Sequence, residues 1–500
     1  MKNKLISILS VLCSGFVLLS GCSNSSDQTA KNENVKKDYD IFIYNSDVNI
    51  GNSFRSMCDE YTQRTGVVIR TVTPSEEKNT FENFESYLDS DHPPDIFTVN
   101  NLEELDKLKS KSEVWDFGNA TEETFKDVVN NIPEILRLSS NTSDSFGIPY
   151  TTEGYGFIVD PKMISSLFGG EKYRTVQNDL QECTYEEFNS MVEALKMYIN
   201  NNQVYQFNLN GKEYSFSKTK GELSENLTGV FSFAGGEPKY SGNYLANIAL
   251  SAVFKSAAEA HIANESVVAE LSGPFIRFAQ LLDSISSNVA GQLGNISRGA
   301  EMISNSQNSL NQSMKNFVNG KSVFLLGGTE DYKNLSIYNS LVAKRCIFIP
   351  IKMPFAENEV ITSDITAKNI HRSIPVYCPK YYCINAKSSD KSKKAAQDFL
   401  TWMQTSELAQ KYIISEFGFT PYDIKESSVI ENALSRSMVE YLSEELVLPA
   451  VYFGAPSGWG EQVFGKYVID QFLNKSVWTE DSYSKISEYA IKKWNDLKNS

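Results

Sequence analysis

Ile41-Phe42-Ile43-Tyr44-Asn45-Ser46-Asp47 is the stretch on which the fold turns. Four consecutive apolar residues read as a buried strand, and the polar Asn-Ser-Asp that stops them reads as the loop at its C-terminal end. Phe54, Met57 and Tyr61 then mark one face of a helix, and Val67-Val68-Ile69 predicts a second strand. A polar helix around 79–88 leads through Pro93-Pro94 into Asp95-Ile96-Phe97-Thr98-Val99, a third strand, after which Leu102, Leu105 and Leu108 begin another helix. Strands alternating with helices in this way predict an α/β domain with a mainly parallel sheet. Open α/β sheets hold ligands beyond the C-terminal ends of their strands. Candidate binding residues are therefore Asn45 and Asp47 after the first strand, and Asn100 and Asn101 after the third, although turn formation alone also selects Asn and Asp there.

Farther on, Phe146-Gly147-Ile148-Pro149-Tyr150 precedes a fourth apolar run, Phe157-Ile158-Val159, which Asp160-Pro161 ends. Thr184 with Glu187 forms a capping-box pattern ahead of an apolar stripe at Phe188, Met191, Leu195 and Tyr198. Between about 200 and 316 the rhythm is mostly helical. Val323-Phe324-Leu325-Leu326 reads as a strand stopped by Gly327-Gly328, and Cys346-Ile347-Phe348-Ile349 as another, ended by Pro350. A helical pair over 388–416 has Gly418 as its C-terminal cap, and the tail from about 428 is helical again.

The chain of 500 residues is 41% hydrophobic, the composition of a soluble globular protein of two or three domains. Its net charge of -15 argues against nucleic acid, whose phosphates need clustered Lys and Arg, whereas acidity keeps an exported protein soluble. The three histidines, His92, His261 and His371, stand apart, and no HExxH, GxSxG or paired Cys/His spacing occurs. Asn319-Gly320-Lys321-Ser322 contains a GKS, but Lys315 occupies the place of the first phosphate-loop glycine and the segment precedes a strand instead of following one. Asp89, Asp91, His92 and Asp95 read as a solvated turn or a cation site. Neither a catalytic centre nor a metal or cofactor is expected.

At the N-terminus, Lys2 and Lys4 precede an apolar run from Leu5 to Leu19 that is short for the roughly 20 residues of a spanning helix. The run closes on Leu19-Ser20-Gly21-Cys22, which resembles the lipobox of bacterial lipoproteins. That resemblance implies a signal peptide over 1–21, a diacylglycerol on Cys22 and a place on the outer face of the cell membrane. Residues 22–38 would be a polar tether, with a random-coil reach of roughly 20 Å. Of seven cysteines, Cys58, Cys183, Cys346, Cys378 and Cys383 belong to neither leader nor anchor. Without a CxxC pair they read as buried thiols, with a Cys378–Cys383 bridge across a turn left open.

Scattered phrases from 39 to 480 resemble the family 1 extracellular solute-binding proteins of ABC importers, the maltose-binding-protein group. Pro94-Asp95-Ile96-Phe97 looks like the family's PDI strand, and Phe146 to Tyr150 is similar to its GIPY crossing between lobes. Asn316 to Phe324 resembles its "F..GKAAM" strand, and Gly418-Phe419-Thr420-Pro421 its late helical ending. The resemblance implies a two-lobed, periplasmic-binding-protein-like α/β fold (type II) with the ligand cleft between lobes. Lobe one would be 39–148 with 352–427, and lobe two 149–351 with 428–500, its middle section longer than the family's. It implies a monomeric receptor that performs no covalent chemistry and delivers a carbohydrate to ABC permease subunits. Glu153 matches a sugar-contacting position, Tyr155 is its neighbour, and Trp459 resembles the late tryptophan on which family members stack a sugar ring. Thr329, Glu330, Asp331 and Tyr332 stand where the family often places aromatic residues, so Glu330 and Tyr332 join the candidates. The carboxylates keep open a modified sugar, or a peptide or polyamine in its place. The pattern also leaves room for a ligand-sensing partner of a membrane signalling protein, and for an exported glycan hydrolase using Glu153 and Glu330.

Overall fold

β1 (Ile41–Tyr44) is buried along its whole length. It lies between β2 (Ile69–Val72) and β3 (Ile96–Val99) and pairs in parallel with both. Burial on both sides is what a short run of consecutive apolar residues satisfies. β2 starts at Ile69, not at Val67 as the sequence predicts. The Val68 carbonyl instead accepts from the Asp40 and Ile41 backbone amides, and an edge strand has no second neighbour to extend it. The computed structural model describes residues 38–75, 80–141, 143–170, 173–293, 309–362, 365–424, 429–474 and 477–499. The lipobox, nearly all of the expected tether and part of the 200–316 section lie outside the described residues.

The remaining strands are β4 (Ile148–Pro149), β5 (Glu153–Val159), β6 (Gln206–Leu209), β7 (Lys212–Ser215), β8 (Phe231–Ser232), β9 (Phe324–Gly328), β10 (Ile347–Ile349), β11 (Ile374–Tyr377), β12 (Tyr381–Ile384) and β13 (Val447–Pro449). The first sheet has the order β2-β1-β3-β12-β4 and the second β13-β11-β5-β9-β8, with β10 also on β5. In the first sheet β12 alone runs against the others, antiparallel to both β3 and β4, with Tyr381 facing Val99 on one side and Pro149 on the other. In the second, β5 runs antiparallel to β9, β10 and β11. The expected boundary at 352 falls before β11, a strand of the second sheet, and the chain reaches the first sheet again only at β12. The section around Cys378-Pro379-Lys380 is thus a crossing between lobes.

Two apolar clusters hold these sheets. One packs Phe157, Phe231 and Phe324 against Phe188, Phe275 and Trp494, from helices Tyr185–Asn201, Ser272–Ser287 and Glu480–Lys498. The other runs from the first sheet to the opposite face of the second, where Ile158, Leu325 and Val376 meet Leu434 and Met438. The capping box at Thr184 and Glu187 forms as the sequence predicts. The helical reading of 200–316 misses a hairpin: β6 alternates exposed and buried residues, and Asn210-Gly211 turns back with φ of +51° and +71°. Asn-Gly is a strong signal for this tight turn, since both positions require left-handed backbone.

Candidate ligand-binding site

A cavity of about 420 Å³ lies where the lobes face each other. From the first lobe it takes Asn100, Asn101 and Leu102, just beyond β3, together with the 117–145 loops; from the second it takes Ser256 to Ala258 and Pro449 to Phe453. The crossing residues Tyr377, Cys378 and Tyr381 join the two walls. This size falls at the lower end of the ~300–1,000 Å³ range of small-molecule sites. Phe117, Tyr377, Tyr381 and Phe453 supply ring surface; Asn100, Asn101, Asn130 and Asn141 supply amides. Ser145, also on the wall, has a buried hydroxyl with no partner among the described residues.

Asn100 and Asn101 reach the cavity wall while serving the helix Leu102–Ser110. The Asn101 side chain accepts from the Glu104 amide at 2.9 Å as N-cap, and the Asn100 amide donates to the Glu104 carboxylate at 2.9 Å. Asn45 is fully buried, accepting from the Tyr150 hydroxyl at 3.2 Å and donating to the Asp47 carbonyl at 3.2 Å. Asp47 accepts from the Asn49 amide at 3.0 Å and faces the Lys380 ammonium at 3.8 Å, bringing the end of β1 to the crossing.

Glu153 stands one hydrogen bond behind the cavity wall, accepting from the Tyr377 hydroxyl at 2.7 Å. Burial, and then the nearby charge of Glu330, push its carboxyl up to about 7. Glu330 accepts from Lys239 at 2.7 Å and from the Tyr244 hydroxyl. Beside it Asp331, likewise pushed to about 7 by burial and Glu330, accepts from the Gly328 amide at 2.9 Å. Burial pulls the Lys239 ammonium down, yet Glu330 and Asp331 outweigh it and the net direction is up. Three carboxyl groups around one ammonium leave this end of the site acidic.

Tyr155 is fully buried with its ring stacked on Tyr244, centroids 3.8 Å apart and 4° from parallel, so it shapes the second lobe from within. Tyr332 opens the helix Tyr332–Ala343 and packs against the second apolar cluster, away from the cavity. Trp459, expected as an open stacking surface, is instead fully buried: it stacks on Phe464 at 5.2 Å, meets Trp494 edge-on at 5.0 Å, and its indole N–H donates to the Ala490 carbonyl at 2.9 Å. The small residues around it allow close approach rather than exposure. A Cβ on Gly242 would collide with the Gly460 carbonyl, so the two segments press together and draw the ring inward.

Four residues that sequence reasoning missed, Phe117, Tyr377, Tyr381 and Phe453, carry the cavity's aromatic surface. The signal available for two of them was Tyr377-Cys378-Pro379-Lys380-Tyr381, a proline turn flanked by tyrosines between two apolar runs. Among the described residues no cluster of His, Cys, Asp or Glu could hold a metal. Asp95, from the acidic turn, instead ties β1 to the chain after β12, accepting from the Phe42 amide at 2.9 Å and the Ser388 hydroxyl at 2.6 Å. Lys321 and Ser322 follow a helix and lead into β9, the reverse of a phosphate loop. Cys58, Cys183, Cys346, Cys378 and Cys383 are all free and buried, so no Cys378–Cys383 bridge is present.

Two α/β lobes with a ring- and amide-lined cavity at their junction define a binding protein that encloses small solutes between domains. Residues 56–427 match the family described as bacterial extracellular solute-binding protein, and the chain belongs to that family. Its fold is similar to a family 1 extracellular solute-binding protein from Bifidobacterium longum subsp. infantis, with a TM-score of 0.58 at 13% identity over 91% of this chain and 99% of that one. It is also similar to RafE from Streptococcus pneumoniae in its apo form, with a TM-score of 0.57 at 12% identity over 92% and 97%. The same RafE in complex with raffinose gives a TM-score of 0.53 at 12% identity over 92% and 99%. No curated protein matches the chain by sequence. Extracellular solute binding places the protein's work outside the cytoplasm, and no described helix is long and apolar enough to cross a membrane.

Proposed function

We propose that this protein is a lipid-anchored receptor that captures a short carbohydrate and delivers it to the permease of an ABC importer. The observation that carries the reading is the cavity wall, where the half-buried Phe453 ring and the edges of Tyr377 and Tyr381 stand beside side-chain amides. A sugar needs this combination, because its ring faces are weakly apolar and its hydroxyls donate and accept in pairs. Raffinose in the complex of a structural neighbour supports the same class of solute. Closure of the lobes would complete the contacts and a permease that favours another lobe arrangement would release them. Cys22 would carry the anchor that keeps the receptor near its permease.

The test is a panel of mono- and oligosaccharides against the purified protein by calorimetry and thermal shift. Saturable binding of at least one, with loss of heat when Phe453 is truncated, supports the proposal; no binding across a broad panel refutes it. For the anchor, a Cys22→Ala variant should appear in the medium while wild type stays with the membrane. The acidic group at Glu153, Glu330 and Asp331 supports a second reading, a solute bearing an amine. Preference for an amino sugar over its neutral parent, abolished by Glu153→Gln, would favour it.

A further inference from the structure

One polar contact links the two walls of the cavity outside the crossing segments. His261 ends the second-lobe helix Ala257–Ile262, and its Nε2 lies 2.7 Å from Oδ2 of Asp106, on the first-lobe helix Leu102–Ser110. Both helices begin at the cavity: Asn101 and Leu102 line it from one side, Ser256 and Ala257 from the other. We propose that His261 and Asp106 form a latch that holds the lobes closed over the solute. This rests on the reading of the chain as a receptor whose lobes close, and it concerns residues that touch no solute.

Two neighbouring contacts run in the same direction. Ser457, in the second-lobe loop before Trp459, lies beside the Glu103 carboxylate, which Lys107 first and then Ser457 hold below its ordinary range. Ala257 packs on the cluster that contains the first-lobe core. The other charges around the imidazole are committed elsewhere. Glu103 pairs with Lys107 at 2.8 Å, Lys255 faces Glu259 on the histidine's own helix at 3.5 Å, and Lys498 of the C-terminal helix donates to the His261 carbonyl at 2.8 Å. Asp106 is therefore the acid that meets the ring. The imidazole N–H at Nε2 donates to the Asp106 carboxylate, a hydrogen bond that the acceptor's charge strengthens. Both side chains keep contact with solvent, at 27% and 45% exposure, which limits the effect to about two- to fivefold in the open-to-closed ratio.

Cys378 reports the opening directly, because it lines the cavity and is 1% exposed. Purified full-length wild type, His261→Ala, Asp106→Ala and the double variant are pulsed with N-ethylmaleimide without solute at one pH. Modification of each cysteine is read by peptide mass spectrometry, and each variant is compared with wild type at the same pH, so thiol ionisation cancels. The latch predicts Cys378 modified about two- to fivefold faster in either single variant, and no further gain in the double variant. Cys58 and Cys346, buried inside the lobes, should keep wild-type rates. His261→Gln, which retains a hydrogen-bond donor, should keep Cys378 nearer the wild-type rate than His261→Ala does. Unchanged Cys378 rates in both single variants overturn the proposal, and so does parallel acceleration at Cys58 and Cys346. No solute enters the assay, so failure of the carbohydrate reading would leave this result standing.

Discussion

Replacing Glu153 with glutamine should make the protein more stable and a poorer receptor at once. Glutamine keeps an oxygen for the Tyr377 hydroxyl, 2.7 Å away, and removes a charge that its surroundings oppose. Burial and Glu330 raise the carboxyl from 4.5 to about 7. At about 1.4 kcal/mol for each pH unit between the folded and unfolded values, a charged Glu153 costs the folded protein up to ~3.4 kcal/mol. Glu153 is only partly buried and its titration is shared with Asp331, so about half of that, ~1–2 kcal/mol, is expected. The sign follows from the raised folded value. Stability contributed by the neutral carboxyl is full below about 4.5 and is lost as pH rises through about 7. Glu153→Gln should therefore exceed wild type by ~1–2 kcal/mol at pH 8 and by less than half of that at pH 5. Urea unfolding followed by circular dichroism at both pH values measures the difference, in which every unchanged group cancels. Solute affinity should fall about two- to fivefold, because Glu153 reaches the cavity only through the Tyr377 hydroxyl that it orients. A variant less stable than wild type at pH 8, or a difference that ignores pH, refutes the reasoning and makes Glu153 a structural anchor for Tyr377.

Trp459→Ala should cost about 3–5 kcal/mol in urea unfolding, since it empties a site packed by Phe464, Trp494 and Phe275; wild-type stability with binding alone impaired would contradict the buried placement. Phe453→Ala should weaken solute binding about tenfold or more by calorimetry while leaving the unfolding midpoint nearly unmoved, because this ring is only half-buried at the cavity wall. Burial lowers the His371 imidazole to about 4, so the stability it contributes is full above its unfolded value near 6.5 and is lost as pH falls towards 4. His371→Gln should flatten that acid limb by up to ~3 kcal/mol in denaturation curves at pH 4.5 and 7, and an unchanged slope would rule the histidine out as its source.

Much of the architecture was legible because it is written at short range. The apolar run at Ile41–Tyr44, the capping box at Thr184 and the apolar run into Leu326 each depend on neighbours within a few residues, although the strand expected to stop at Gly327-Gly328 runs on through both glycines, which pair with Gly156 and Tyr155. The same holds for Asn100 and Asn101, which follow β3 directly and lie on the cavity wall. Where local patterns competed, the reading slipped: Asn210-Gly211 makes a hairpin inside a section whose composition is helical, and Val67-Val68 fall outside β2 because an edge strand ends where its single partner does.

By itself the sequence determined that this is an acidic α/β chain with a lipobox-like leader, strands that end in amide- and carboxylate-bearing loops, and phrases typical of extracellular solute-binding proteins. Only the tertiary structure decided which side chains face the cavity. Phe117 and Phe453 line it from segments far apart in sequence, and Tyr377 reaches it from a crossing whose proline turn is local but whose place between the lobes is not. Trp459, a plausible stacking ring by its neighbours, turns inward because Gly242 and Gly460 let two helical segments close over it. Periodicity records whether a residue is buried, and it carries no information on what buries it; that depends on contacts between residues hundreds of positions apart, which form only when the lobes pack.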